Sequence, residues 1–160
     1  TFYKNHKLLI KAAIQLPTTT FIIAGSGQLE KSIRAEIKKH KLENVILTGS
    51  ISRNKINALF QSCDAFCLPS NDRAESYGMV LLEALQHNKP LLVSNLDGSG
   101  MKWIASQTAL GQTFNCNNPE DLIKIIQQPI KKPVKKNNLE VFSIRSCQQK
   151  IDQLYQRLTT

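Results

Sequence analysis

Long apolar runs are missing from this sequence. No stretch of its 160 residues approaches the roughly 18 consecutive apolar residues that a membrane-spanning helix needs. No charged, apolar and small-residue series of a signal peptide opens the chain, which starts with Thr1 rather than Met. We therefore expect neither a transmembrane nor an exported domain, and we expect the chain to be a fragment of a longer protein.

Cysteine and histidine are few, and their spacing matches no metal site. The four cysteines are Cys63, Cys67, Cys116 and Cys147, and the three histidines are His6, His40 and His87. The cysteines include no CxxC pair, and the histidines are isolated from one another. We expect free, buried thiols in a reducing compartment and no bound metal.

Acidic residues are scarce, since 12 Asp and Glu stand against 21 Lys and Arg, for a net charge of +9. This excess predicts an anionic partner, which could be a phosphate ligand, a nucleic acid or an acidic membrane face. Aromatic residues make up only 6% of the chain and no RNA-binding motif occurs, which argues against nucleic acid. Lys131, Lys132, Lys135 and Lys136 surround Pro133 and indicate an exposed connection, which an anionic membrane surface would attract.

The apolar residues that are present form short runs alternating with helical patterns. The runs are 21–24, 45–47, 65–68, 91–93 and 112–114. At roughly 150 residues per domain the length suits one domain, and the alternation predicts right-handed crossovers. The expected fold is a single α/β domain, a Rossmann-like, mostly parallel sheet with helices on both faces. Ligands of such sheets bind beyond the carboxyl ends of the strands.

The densest group of polar residues, 70–84, directly follows one predicted strand. A helix starting near Tyr77 would point the free amides of Tyr77, Gly78, Met79 and Val80 at a diphosphate. Glu75 and Glu83 would be on the order of 10 Å apart along that crevice, which suits the two ends of a nucleotide sugar. The alternative reading is a loop Glu that caps its helix and a second Glu on a solvated face.

These residues resemble the E-x7-E region of family 4 glycosyltransferases, whose fold is the two-domain GT-B type. The resemblance runs from Lys4 to about Gln127. Further landmarks occur in the family's order: the helix start after Lys4, the glycine turn 23–27, and the strand ends at 47–49 and 68–70. The chain is thereby identified as the C-terminal, donor-binding half of such an enzyme, with the N-terminal acceptor domain outside this sequence.

The resemblance implies a role for each matching residue. Glu75 would hold the hydroxyls of the transferred sugar, Lys4 would neutralise the developing phosphate charge, and Glu83 would hold the ribose. The amides of Ser76, Tyr77, Gly78, Met79 and Val80 would contact the diphosphate. Gly25, Gly27, Ile51 and Arg53 would line the phosphate and base side of the crevice. No metal and no cofactor besides the nucleotide sugar, a UDP-sugar, is implied.

The implied activity is retaining hexosyl or N-acetylhexosaminyl transfer to a lipid-linked or oligosaccharide acceptor. Residues 98–103 are similar to a variant in transferases that build bacterial surface polysaccharides, which points to O-antigen or capsule assembly. The expected location is the cytoplasm, at the cytoplasmic face of the inner membrane. Without the acceptor domain, we expect the isolated domain to bind donor but not to turn over.

Other functions are open to comparison with the same residues. A dinucleotide-binding domain fits poorly, because Glu30 stands where the third small residue of its glycine turn belongs and no acidic residue follows Leu47. No P-loop occurs. A glycosidase needs carboxylates about 5 to 9.5 Å apart across the scissile bond, whereas E-x7-E puts both on one wall. A non-catalytic, basic nucleotide- or membrane-binding module stays as the alternative.

Overall fold

A computed structural model describes residues 2–129 and 139–159 of the chain. Five strands and seven α-helices alternate along it. The strands are β1 Phe21–Ala24, β2 Val45–Gly49, β3 Phe66–Leu68, β4 Leu91–Ser94 and β5 Gly111–Phe114. The helices are α1 His6–Gln15, α2 Glu30–Lys39, α3 Arg53–Ser62, α4 Met79–Gln86, α5 Gly100–Ser106, α6 Pro119–Gln127 and α7 Ile144–Thr159. Short 3-10 turns precede α1 (Phe2–Lys4) and α7 (Glu140–Phe142).

All strand pairs in the described part of the chain are parallel, as the sequence predicts. β1 pairs with β2, with Ile22 opposite Ile46, and β3, β4 and β5 pair in that order, with Leu92 opposite Gln112. A cavity of about 560 Å³ is lined by residues of both β1 and β3, one strand from each piece. The predicted mostly parallel sheet is therefore present as two parallel pieces in the described residues.

Helices cover both faces of the sheet. Alternate residues of β4 point to opposite sides and pack against different helices. Leu92 packs with α1 and α6 in one buried cluster, whereas Leu91 and Val93 pack with α4 and α5 in the other. All four residues of β4 are buried, as expected of a central parallel strand. The predicted α/β domain with helices on both faces is confirmed.

The C-terminal helix α7 differs from the other helices in its exposure. Its apolar residues Ile144, Leu154 and Leu158 are all more than half exposed. Cys147 on the same helix is also exposed, and Cys63, Cys67 and Cys116 are partly exposed, which corrects the expectation of buried thiols. The lysine-rich segment 131–136 lies outside the described residues. None of the helices in the described ranges has the length and apolar character needed to cross a bilayer.

Candidate functional site

The turn before α1 is fixed to two distant loops. The backbone carbonyl of Tyr3 accepts a hydrogen bond from the Asn71 amide at 2.9 Å. Asn5 adopts a left-handed conformation with φ of 51°, which Asn tolerates better than most residues. Its side-chain amide donates to the carbonyl of Cys116 at 2.9 Å. These bonds hold Lys4 over the loop that follows β3.

In that position Lys4 forms an ion pair with Glu75, 71 residues away in sequence. The Nζ atom of Lys4 contacts Oε2 of Glu75, and the two side chains are 30% and 12% exposed. The same Oε2 accepts a hydrogen bond from the hydroxyl of Ser70 at 3.2 Å. A carboxylate this sheltered from water needs such partners, because an unpaired buried charge is costly.

Two serines that the sequence analysis did not single out hold Glu75 in place. Ser70 is fully buried. Ser99 donates from its hydroxyl to the carbonyl of Glu75 at 2.8 Å and also accepts a hydrogen bond from the amide of Met101 as the N-cap of α5. A serine just before a helix is a recognisable capping signal, so that role was predictable. Its bond to Glu75, 24 residues earlier, was not.

Helix α4 starts at Met79, two residues later than the predicted start near Tyr77. Gly78 is the residue before the helix, with φ of 80°, a conformation that favours glycine. No side chain caps this end, so the amides of Met79 and Val80 have no partner within the helix. Ser76 and Tyr77 instead face α5: the Ser76 carbonyl accepts from the Gly100 amide, and the Tyr77 ring packs 6.3 Å from Trp103.

Glu83, one turn into α4, lies among apolar residues and is paired with Arg53. Nη1 of Arg53, the first residue of α3, lies 2.9 Å from Oε2 of Glu83. The Arg53 side chain is 61% exposed and that of Glu83 is 32% exposed. This pair is therefore more hydrated, and weaker, than the pair between Lys4 and Glu75.

A cavity of about 570 Å³ lies beyond the carboxyl ends of β1, β2 and β3. Six residues that the sequence analysis selected line it: Lys4, Gly25, Gly27, Ile51, Val80 and Glu83. Glu75 and Arg53 join it through their ion pairs. Ser76, Tyr77, Gly78 and Met79 are not among its described lining residues. The structure thus brings together residues from five separate segments, at the edge of the sheet where ligands of parallel sheets bind.

His6 also lines this cavity, and the sequence analysis assigned it no role. Its Nδ1 atom is buried and has no hydrogen-bond partner among the described residues. Desolvation lowers the pKa of His6 from its ordinary value of 6.5, and the nearby charge of Lys4 lowers it further. The imidazole is therefore neutral at pH 7. No sequence signal marks His6 apart from its place next to Lys4 in the chain.

Two cysteine thiols have a raised pKa and so favour the protonated form. Cys67 in β3 lines the cavity, and burial raises the pKa of its thiol to about 12. Burial also raises the pKa of Cys63. Within residues 2–129 and 139–159 all four cysteines are free, and no group of His, Cys, Asp and Glu is arranged to hold a metal ion.

Comparison with known proteins identifies the family of this chain. Residues 1–143 match the family model described as glycosyl transferases group 1. The O-antigen chain mannosyltransferase C of Escherichia coli is 30% identical over 129 residues, which are 79% of this chain and 34% of that protein. The chain thus spans about a third of the length of this curated relative.

Solved structures show the same fold. Sucrose-phosphate synthase from Thermosynechococcus elongatus superposes with a TM-score of 0.74 at 18% identity, covering 99% of this chain and 43% of that one. The pneumococcal O-GlcNAc transferase GtfA, solved in complex with UDP and GlcNAc, gives a TM-score of 0.57 at 24% identity and covers 79% and 25%. With the family match and the fold in agreement, this chain belongs to the group 1 glycosyl transferases of the GT-B fold.

Proposed function

We propose that this domain binds the nucleotide diphosphate sugar, a UDP-sugar, of a retaining glycosyltransferase. The observation that carries the proposal is the cavity beyond β1, β2 and β3, to which the pairs Lys4–Glu75 and Arg53–Glu83 contribute. A nucleotide sugar needs cations and amides for its phosphates and carboxylates for its hydroxyl pairs. Both kinds of group come together here.

One end of the ligand would lie between the turn before α1 and the start of α4. Glu75 would accept hydrogen bonds from hydroxyls of the transferred sugar, with Ser70 and Ser99 keeping the carboxylate in place. Lys4 and the uncapped amides of Met79 and Val80 would contact the diphosphate, since a helix N-terminus favours an anion.

The nucleoside would occupy the other end of the cavity. Glu83 would accept hydrogen bonds from the ribose diol, and Ile51 and Arg53 would border the base. Gly25 and Gly27 would let the ligand approach the backbone closely. Gly25 has φ of 117° and open space where a side chain would be, so glycine leaves room for a ligand beside the backbone.

The chemistry requires stabilisation of a departing diphosphate. The acceptor hydroxyl attacks the anomeric carbon on the face from which the diphosphate leaves, so the new bond forms as the bond from that carbon to the phosphate oxygen breaks. The acceptor's proton passes to the diphosphate. In this proposal Lys4 and the α4 amides, rather than a metal ion, stabilise the charge, and preorganised groups of this kind contribute several kcal/mol.

The wider setting is proposed on the same basis. A hexose or N-acetylhexosamine would be transferred to a lipid-linked or oligosaccharide acceptor held by an N-terminal domain, in O-antigen or capsule assembly. The E. coli relative is an O-antigen mannosyltransferase, which supports the polysaccharide setting. The charge of +9 favours work at the anionic, cytoplasmic face of the inner membrane. Co-sedimentation with anionic vesicles, with neutral vesicles as the control, tests that location.

Titration of UDP, GDP and ADP against the wild type and Glu83→Gln tests the donor site. We expect UDP to bind most tightly, and Glu83→Gln to weaken UDP binding by about fivefold to thirtyfold, because an acceptor for two hydroxyls loses its charge. Glu36→Gln on α2, outside the described lining of the cavity, is the matched control and should change nothing. Equal binding of the three nucleotides with an unaffected Glu83→Gln variant would contradict the site.

A further inference from the structure

Two cations of the proposed donor site are each paired with one of its carboxylates. Lys4 pairs with Glu75, and Arg53 pairs with Glu83. Each of these two cations is thus already neutralised by a carboxylate of the same site. A diphosphate that enters the cavity meets Lys4 in contact with Glu75 and must compete with that carboxylate.

Of the two partners in the inner pair, Glu75 is the fixed one. Its carboxylate accepts from the fully buried Ser70, its backbone carbonyl accepts from Ser99, and its backbone amide donates to the carbonyl of Asp72 at 3.1 Å. Hydrogen bonds hold the residues on either side of Lys4, Tyr3 and Asn5, but the ammonium group of Lys4 is on a flexible four-carbon stem. It lines the cavity and also lies 5.2 Å from the centre of the Tyr3 ring. Lys4 is therefore the group that moves when a ligand binds.

The nucleotide sugar and the nucleoside diphosphate differ in the partners that Glu75 has after each of them binds. A nucleotide sugar draws Lys4 to its phosphates and supplies sugar hydroxyls to the carboxylate in exchange. A nucleoside diphosphate also draws Lys4 away, but it brings no hydroxyl to Glu75. Among the described side chains, the 12% exposed carboxylate would then keep only Ser70 as a partner, and a sheltered charge that loses its counterion is strongly disfavoured.

We propose that Glu75 is a specificity-determining residue that selects the sugar-bearing donor over the nucleoside diphosphate product by competing for Lys4. This inference rests on the proposed function, since it takes the phosphate at Lys4 and the sugar at Glu75. The contacts of the bound donor alone do not imply this effect. The Glu75 carboxylate would weaken binding of the nucleoside diphosphate and so assist its release.

The proposal predicts opposite effects of one substitution on two ligands. Glu75→Gln removes the charge that competes for Lys4, while its amide oxygen can still accept from Ser70. UDP should therefore bind the variant about fivefold more tightly than the wild type, as expected for release of a partly buried ion pair. UDP-glucose, used as the sugar-bearing probe, should bind no more tightly, because the charged acceptor for its hydroxyls is lost.

Isothermal titration of UDP and UDP-glucose into the wild type, Glu75→Gln, Lys4→Gln and the double variant measures this. In the Lys4→Gln background, Glu75→Gln should leave UDP affinity unchanged, because no cation remains to be released. Glu75→Asp shortens the side chain by one methylene and loosens its contact with Lys4. It should tighten UDP binding in the same direction and carries the test if the Gln variant does not fold. Glu36→Gln is the control for a distant charge change.

The outcomes separate the two levels of the argument. If UDP binds through Lys4 but neither Glu75 variant tightens it, the competition is refuted while the donor site stands. If Glu75→Gln raises UDP affinity in the Lys4→Gln background as much as it does in the wild type, the gain does not come from Lys4. The inference is then again overturned. If UDP does not bind the wild type, or Lys4→Gln leaves its affinity unchanged, the proposed function fails first.

Discussion

Gly78→Ala should destabilise the domain by more than the conformational cost of placing alanine at a positive φ. The residue has φ of 80°, and adopting that conformation with a side chain costs about 1 to 2 kcal/mol. An added Cβ would lie 3.0 Å from Cδ1 of Leu81, 3.2 Å from Cγ of Met101 and 3.3 Å from Cδ2 of Leu68. All three side chains are buried, so none moves freely.

Overpacking of that kind costs about 1 to 3 kcal/mol, which brings the expected loss to about 2 to 5 kcal/mol. Gly49→Ala is the matched control, because Gly49 has φ of 64° but open space around the position of a Cβ. It should lose only the conformational part. Urea denaturation followed by circular dichroism gives both free energies of unfolding, provided that the dependence on urea concentration is unchanged. Equal losses for the two variants would refute the argument from packing at the start of α4.

Two further predictions concern His6 and the cysteine thiols. Because burial lowers the pKa of His6 in the folded state, the unfolded chain binds more protons between that value and 6.5. The free energy of unfolding should therefore fall as the pH drops through 6.5 and level off below the folded pKa. His6→Asn should remove part of this slope in urea denaturation at several pH values, and an unchanged slope would exclude His6 as its source. For the thiols, Cys147 is exposed whereas Cys67 has a pKa of about 12. Alkylation with peptide mapping should label Cys147 in the native protein well before Cys67, because the thiolate is the reactive form. Equal rates of labelling would contradict the raised pKa of Cys67.

Much of the fold was predictable from local patterns. The apolar run 21–24 became β1 with the same bounds, and the run 91–93 became the buried strand β4. Helix α6 also begins at a local signal, with Asn118 as its cap and Pro119 as its first residue. Strands and helices leave these signals because their hydrophobic periods and end caps involve residues close together in the chain. Glu75 and Glu83 stood out for the same reason, as both belong to one continuous segment.

Other features depended on contacts that no local pattern contains. The presence of two parallel pieces rather than one continuous sheet depends on how β1 and β3 are placed in the fold. The start of α4 at Met79 follows from the left-handed turn at Gly78, packed between Leu68 and Met101. Sequence patterns place an element's start only within a few residues, since tertiary packing decides which turn is retained.

By itself, the sequence determined the alternation of strands and helices, the edge of the sheet that we propose as the donor site, and which carboxylates lie near it. Only the tertiary structure decided how these groups are paired. Lys4 meets Glu75 across 71 residues and Arg53 meets Glu83 across 30. The Nδ1 atom of His6 is buried with no partner in the part of the chain that the structure describes. The physical reason is that periodicity and capping are local, whereas an ion pair or a desolvated imidazole exists only where the folded chain brings distant segments together and excludes water.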